Sequence, residues 1–126
     1  MNYLLDTNAI IYLLKGRAKS LPFANDDKIL ISFITKIELL SHQGTPDEED
    51  KIQKLLNYYD ILFIDDQLIN KTVDIRKNHK LKLPDAIILA TAIQENATLI
   101  TADKEIIKKS SDISIKIIDP LTGESF

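Results

Sequence analysis

Four acidic residues, Asp6, Glu38, Asp85 and Asp103, stand where an apolar strand stops or a helix begins. Asp6 ends the short run Tyr3-Leu4-Leu5 and precedes the helix-length run Ala9 to Leu14, with Thr7 or Asn8 as its cap. Asp103 follows Thr98-Leu99-Ile100-Thr101, and Asp85 opens the apolar stretch Ala86 to Ile93. Each acid alone has an ordinary explanation. Asp6 and Asp103 can cap helices, and Asp85 can face a helix dipole. Glu38 completes Thr35-x-x-Glu38, a capping box with Ile34 and Leu39 as its hydrophobic staple. Together they demand more, because all four belong at the carboxyl edge of one sheet, where open α/β folds bind ligands. Two carboxylates about 5 Å apart repel by roughly 3 kcal/mol at an effective dielectric of 20. Several such pairs would use up a noticeable part of a domain's stability, which is about 5–15 kcal/mol. Divalent cations, or protons on some of the acids, relieve that repulsion. Cations also activate water and stabilise charge on a phosphoryl oxygen.

The elements that must position these acids alternate. Strands are expected at Tyr3 to Leu5, Lys28 to Ser32, Ile61 to Ile64, Thr98 to Thr101 and Ser114 to Ile118. Helices are expected from about Ala9 to Leu14, from Thr35 to about Gln43 with Gly44 as a stop, and from Thr45-Pro46 to about Tyr58. Further helices run from about Gln67 to Lys80, from Pro84-Asp85 to about Glu95, and briefly after Asp103. Lys15-Gly16-Arg17 closes the first helix, and the segment to Asp27 reads as loop or short helices. The helix from Asp85 is apolar on nearly every side and is therefore buried. This alternation predicts an α/β fold with a parallel sheet of about five strands and helices on both faces.

The 126 residues suit one domain, residues 1–126, able to bury roughly two thirds of its unfolded surface. Cysteine is absent, which excludes disulfides, thiolate zinc sites and a cysteine nucleophile. Two histidines, His42 and His79, cannot make a histidine-rich metal site and read as surface residues. Any metal site is built from oxygen, which favours Mg2+ or Mn2+ over zinc. No stretch is long enough to span a bilayer and no signal-peptide pattern opens the chain, so a cytoplasmic protein without membrane partners is expected. A net charge of −3 does not advertise nucleic-acid binding, although a local basic rim or bound cations can support it.

Four short stretches carry a family resemblance. Leu5-Asp6-Thr7-Asn8, Ser32 to Leu39 around Glu38, Pro84 to Ala92 opening on Asp85, and Leu99-Ile100-Thr101-Ala102-Asp103 resemble, in order, the motifs of PIN domains. The resemblance runs from Leu4 to about Ile118, and at this size the chain looks most like the VapC toxins of type II toxin–antitoxin pairs. It implies a PIN-like three-layer fold and an Mg2+- or Mn2+-dependent endoribonuclease that hydrolyses RNA phosphodiesters. Asp6 and Asp85 are then the main metal ligands. Glu38 helps to ligate or to orient water, and Asp103 completes the site, often through water. Thr7, Asn8 and Thr101 become donors that hold the ligands in place. A homodimer and a cognate antitoxin are implied as partners. Ile106 stands where the family often has phenylalanine, and Leu83-Pro84 replaces a small polar residue before the third acid.

Lys15, Arg17, Lys19, Lys36, Lys80, Lys82 and Lys104 lie in or beside loops that could flank the acidic edge. Arg17 and Lys82 are the positions chosen for RNA phosphate contacts. Tyr58 and Tyr59 suit a core or a partner groove, and Asp47-Glu48-Glu49-Asp50 reads as a charged helix start. A receiver-type phosphoacceptor domain is the rival reading, with Asp65 or Asp66 modified and Thr101 beside it. It leaves Asp85 without a role. A haloacid-dehalogenase-like phosphatase needs Asp at Asn8, and a catalytically silent PIN module that only binds RNA or protein is the third alternative.

Overall fold

The computed structural model describes residues 1–19 and 21–126. The elements, in chain order, are β1 Asn2–Leu5, α1 Thr7–Leu14, β2 Lys28–Ser32, α2 Phe33–Leu40, α3 Pro46–Tyr58 and β3 Asp60–Leu62. They continue with α4 Asp66–Asn78, α5 Leu83–Gln94, β4 Ala97–Ile100, α6 Lys104–Lys108, α7 Ser110–Ile113 and β5 Ile117–Ile118. All neighbouring strand pairs are parallel, in the order β3-β2-β1-β4-β5. The chain winds outward from β1 through β2 to β3, then crosses back to β4 and β5. The crevice between β1 and β4 is therefore the topological switch point, where parallel sheets bind ligands beyond their carboxyl ends.

Period-2 alternation divides the core between the two faces of the sheet. Leu4, Leu30, Ala97, Leu99 and Ile117 pack with Leu68 and Ile75 of α4, Ala86, Ile88, Leu89, Ala90 and Ala92 of α5 and Ile106 of α6. Tyr3, Leu5, Ile31 and Ile100 pack with Ala9 and Ile10 of α1, Leu39 of α2, and Ile52 and Leu56 of α3. The result is the expected three layers, α4/α5/α6 on one side and α1/α2/α3 on the other. The helix α5 is buried from Ala86 through Ala92, as its all-round apolar pattern requires. Among the described residues no helix is long and apolar enough to cross a membrane.

Local chemistry corrects several expected boundaries. Asp6 is the cap of α1, in place of Thr7 or Asn8; its carboxylate accepts the Thr7 N–H at 2.8 Å. The capping box at Thr35 does not form. Ser32 caps α2 instead, accepting the Ile34 N–H at 3.2 Å, so Thr35 is already the third helical residue. Ile34 and Leu39 pack into opposite core clusters and make no staple. Helix α2 ends at Leu40 with Ser41 as its C-cap, well before Gly44. Gly44 instead lies in the loop before α3, beside the Glu48 side chain.

β3 stops at Leu62, leaving Phe63 and Ile64 67% and 53% exposed in the following loop. β5 pairs only at Ile117 and Ile118; before it the Ile115 N–H turns back to the Ser110 carbonyl, and Ser114, in the left-handed conformation at φ 58°, ends α7, a turn of helix that periodicity did not reveal.

The α3 start matches its sequence signals: Thr45 caps it, accepting the Glu48 N–H at 3.2 Å, and Pro46 follows. Thr45→Ala should cost about 1 kcal/mol, read as a lower urea midpoint with an unchanged slope.

Candidate functional site

A pocket of about 290 Å³ opens at the carboxyl edge beside the switch point, lined by Asp6, Thr7, Asn8, Glu38, Pro84, Asp85, Ile88 and Asp103. All four acids line it. Asp6 comes off β1 and remains tied to β4, since its N–H donates to the Ile100 carbonyl at 3.0 Å. Asp103 comes from the loop after β4, Asp85 from the first turn of α5, and Glu38 from the second turn of α2. The capping explanations hold at the same time: Asp6 caps α1, and Asp103 Oδ1 accepts the Glu105 and Ile106 N–H groups of α6. Capping and a pocket position coexist because helix N-termini converge on this edge, and their dipoles favour negative charge there.

Asp6 is the buried member, 7% exposed. Its Oδ2 accepts the Thr101 hydroxyl at 2.8 Å and its Oδ1 the Thr7 N–H at 2.8 Å. Burial pushes its carboxyl up to about 6, against the pull of those two donors, and the charges of Glu38 and Asp85 push the same way. The Asp85 carboxyl is also raised, first by burial and then by Asp103 and Glu38, while Lys82 opposes the shift. These mutual effects are the electrostatic signature of acids crowded at one place.

The residues expected to hold the acids form a connected bracket. Asn8 Oδ1 accepts the Ala102 N–H at 3.1 Å, and Asn8 Nδ2 lies 3.4 Å from Thr101 Oγ1. Thr101 Oγ1 also accepts the Asp103 N–H at 3.1 Å. Thr7 Oγ1 donates to Glu38 Oε1 at 2.6 Å and meets Thr35 Oγ1 at 3.3 Å. Thr35 was missed as a site residue because the capping-box reading gave its hydroxyl another use. Its position one turn before Glu38, on the same helix face, was the available signal.

Lys82 immediately precedes α5 and its charge acts on Asp85, whereas Arg17 sits over the Tyr12 ring, 5.2 Å from its centre. His42 pairs with Glu48 at 3.4 Å and His79 ends α4, so neither histidine lines the pocket. A further acid, Asp119, is buried after β5, where it accepts the Leu121 N–H and faces Lys104 at 3.9 Å. It does not line the pocket.

The donor set is all oxygen and carries several carboxylates, which suits Mg2+ or Mn2+. Among the described residues, no three His, Cys, Asp or Glu side chains are grouped so as to hold one ion by themselves.

An α/β sheet with an oxygen-lined acidic pocket at its switch point defines the class of protein. The PIN domain family model matches residues 3–111, so the chain belongs to the PIN-domain family. Solved structures agree. The toxin–antitoxin complex from Klebsiella pneumoniae is similar at 30% identity and a TM-score of 0.75, covering 94% of this chain and 97% of that one. VapBC-1 from nontypeable Haemophilus influenzae is similar at 27% identity and 0.73, covering 94% and 98%. VapBC2 from Rickettsia felis, bound to a DNA fragment from its promoter, shares the fold at 22% identity and 0.74, covering 94% and 100%. No curated protein sequence matches the chain significantly. Membership overturns the receiver reading, and the topology gives the reason. A receiver has the strand order 2-1-3-4-5, with β3 inside the sheet. Here β3 is an edge strand, and Asp65 caps α4 through the Leu68 N–H at 2.8 Å.

Thr101→Val, which keeps the shape and removes the donor to Asp6, should weaken Mn2+ binding about 10-fold, measured by calorimetric titration.

Proposed function

We propose that the protein is a metal-dependent endoribonuclease, the toxin of a toxin–antitoxin pair, which hydrolyses RNA phosphodiester bonds with Mg2+ or Mn2+. The observation that carries this reading is the convergence of Asp6, Glu38, Asp85 and Asp103 on one pocket at the switch point.

In this reading Asp6 and Asp85 would be the main residues to hold the cation, Glu38 would help to ligate it or to orient water, and Asp103 would complete the site. When bound, the cation supplies a nucleophilic water at neutral pH and neutralises charge on the phosphoryl oxygens. Thr101 and the Thr7 N–H keep both Asp6 oxygens oriented, so little side-chain freedom remains to be lost on binding. Burial destabilises the ionised Asp6, so a bound cation would relieve its charge, and with the carboxyl raised to about 6 most of it is still free of its proton at neutral pH. Thr7 holds Glu38 toward the pocket. Asn8 ties the Asp103 loop to α1 through Ala102. Lys82, whose charge acts on Asp85, would meet RNA phosphates beside the pocket, and Arg17, beyond the far end of α1, would meet them only farther along the strand. An RNA substrate of this kind implies action in the cytoplasm.

A homodimer and an antitoxin fit the large apolar side chains left exposed on α2, the loop after β3 and α4, among them Ile37, Leu40, Phe63 and Val73. Both ideas draw on the toxin–antitoxin complexes among the similar structures.

The test is cleavage of a labelled panel of transfer, ribosomal and messenger RNAs with Mg2+, with Mn2+ and with chelator. Internal cuts that require the cation support the reading. RNA that is bound but left intact under every condition overturns hydrolysis and favours a silent binding module.

A further inference from the structure

We infer that Thr35 is a positioning residue for Glu38, acting through Thr7 by a two-step hydrogen-bond relay. The inference deepens the cation-dependent reading above and rests on it. Thr7 Oγ1 lies 2.6 Å from Glu38 Oε1 and 3.3 Å from Thr35 Oγ1. An ionised carboxylate only accepts, so Thr7 donates to Glu38. A hydroxyl has one proton, so in the second contact Thr35 must donate to Thr7. The direction of the relay is thus fixed: Thr35 fills an acceptor site on Thr7 and commits the Thr7 proton to Glu38. Each bond polarises the next.

The cost of burying this hydroxyl points the same way. Thr35 is 0% exposed, and among the described residues its hydroxyl makes no other hydrogen bond. A buried hydroxyl without a partner is unfavourable, so valine would suit a purely structural role. The buried threonines Thr72 and Thr91 spend their hydroxyls on carbonyls of their own helices, Leu68 and Ile87. Thr35 makes no such bond among the described residues, and four residues back lies Ile31, still in β2. Its hydroxyl reaches across to α1 instead. Glu38 needs that restraint most, being the exposed acid of the pocket and carried on a long side chain.

The experiment titrates Mn2+ into wild type, Thr35→Val and Thr35→Ser, read by melting temperature and by RNA cleavage. Thr35→Val should raise the Mn2+ midpoint about 10-fold in both readouts. Thr35→Ser should restore the wild-type midpoint even though it loses a buried methyl and melts lower. In a Glu38→Gln background, Thr35→Val should shift the midpoint no further, because the two act as one unit. If Thr35→Val does not fold, Thr35→Ala, which introduces no clash, should give the same shift. A wild-type midpoint in either apolar variant, or an undiminished shift without the Glu38 carboxylate, overturns the inference alone. A wild type that responds to no cation, in melting or in cleavage, overturns the cation reading and the inference with it.

Discussion

Asp6→Asn should abolish cation-dependent RNA cleavage, by on the order of 10³-fold or more, and should leave the fold standing. The effect is large because, in the proposed mechanism, Asp6 would hold the cation and set its place, and single preorganised electrostatic groups already contribute about 10²–10³ in rate. The fold survives for a separate reason. The Asp6 carboxyl titrates near 6 in the absence of metal, against 3.8 ordinarily, so its ionised form is held at a cost at neutral pH. The shift corresponds to about 3 kcal/mol at 1.36 kcal/mol per unit. Asparagine keeps the shape and one acceptor for the Thr7 N–H while removing the buried charge. In chelator, the variant should therefore melt at or above the wild-type temperature. Reduced activity with preserved or raised stability separates a chemical defect from an unfolded one. An Asp6→Asn protein that cleaves at the wild-type rate would remove the mechanism.

Asp6, Asp85 and Asp103 were legible because each sits at an element boundary, where strand ends and caps leave a strong local signal. Thr45-Pro46 located the start of α3 for the same reason. Glu38, by contrast, lies in the second turn of α2 and was found through a capping box that does not form. What the sequence hid was non-local. Nothing in the runs themselves says that β3 lies at the sheet edge and β4 beside β1, yet that order creates the crevice and disposes of Asp65 as a rival site. Thr35-x-x-Glu38 is a true capping-box pattern that failed because Ser32, three residues earlier, was better placed to cap. The freed Thr35 hydroxyl then became available to α1, a contact 28 residues distant along the chain. The shortened β3 and β5 reflect apolar runs that serve loops and turns as well as strands, which periodicity over a few residues cannot distinguish.

Manganese should raise the melting temperature, and by more at pH 7.5 than at pH 5.5. A cation at about 100 times its dissociation constant that binds only the folded state adds about 2.7 kcal/mol. For a chain of this length that is roughly 10 °C. The pH dependence follows from Asp6. Its folded value is raised to about 6, so between about 4 and 6 the metal-free folded state binds more protons than the unfolded chain. Metal-free stability from this group is therefore greatest below the unfolded value and falls as pH rises toward 6, with the full penalty above that. The cation and the proton compete for the same oxygens. At pH 5.5 a group titrating near 6 is about one quarter ionised, which alone weakens apparent affinity about fourfold. Asp85, whose carboxyl is raised in the same direction, adds to the competition. In chelator the wild type should lose stability between pH 5 and 7 relative to Asp6→Asn, and with saturating manganese that relative loss should vanish. A manganese shift of equal size at both pH values would mean that the cation does not displace a proton from Asp6, and so does not bind in the pocket that the four acids line.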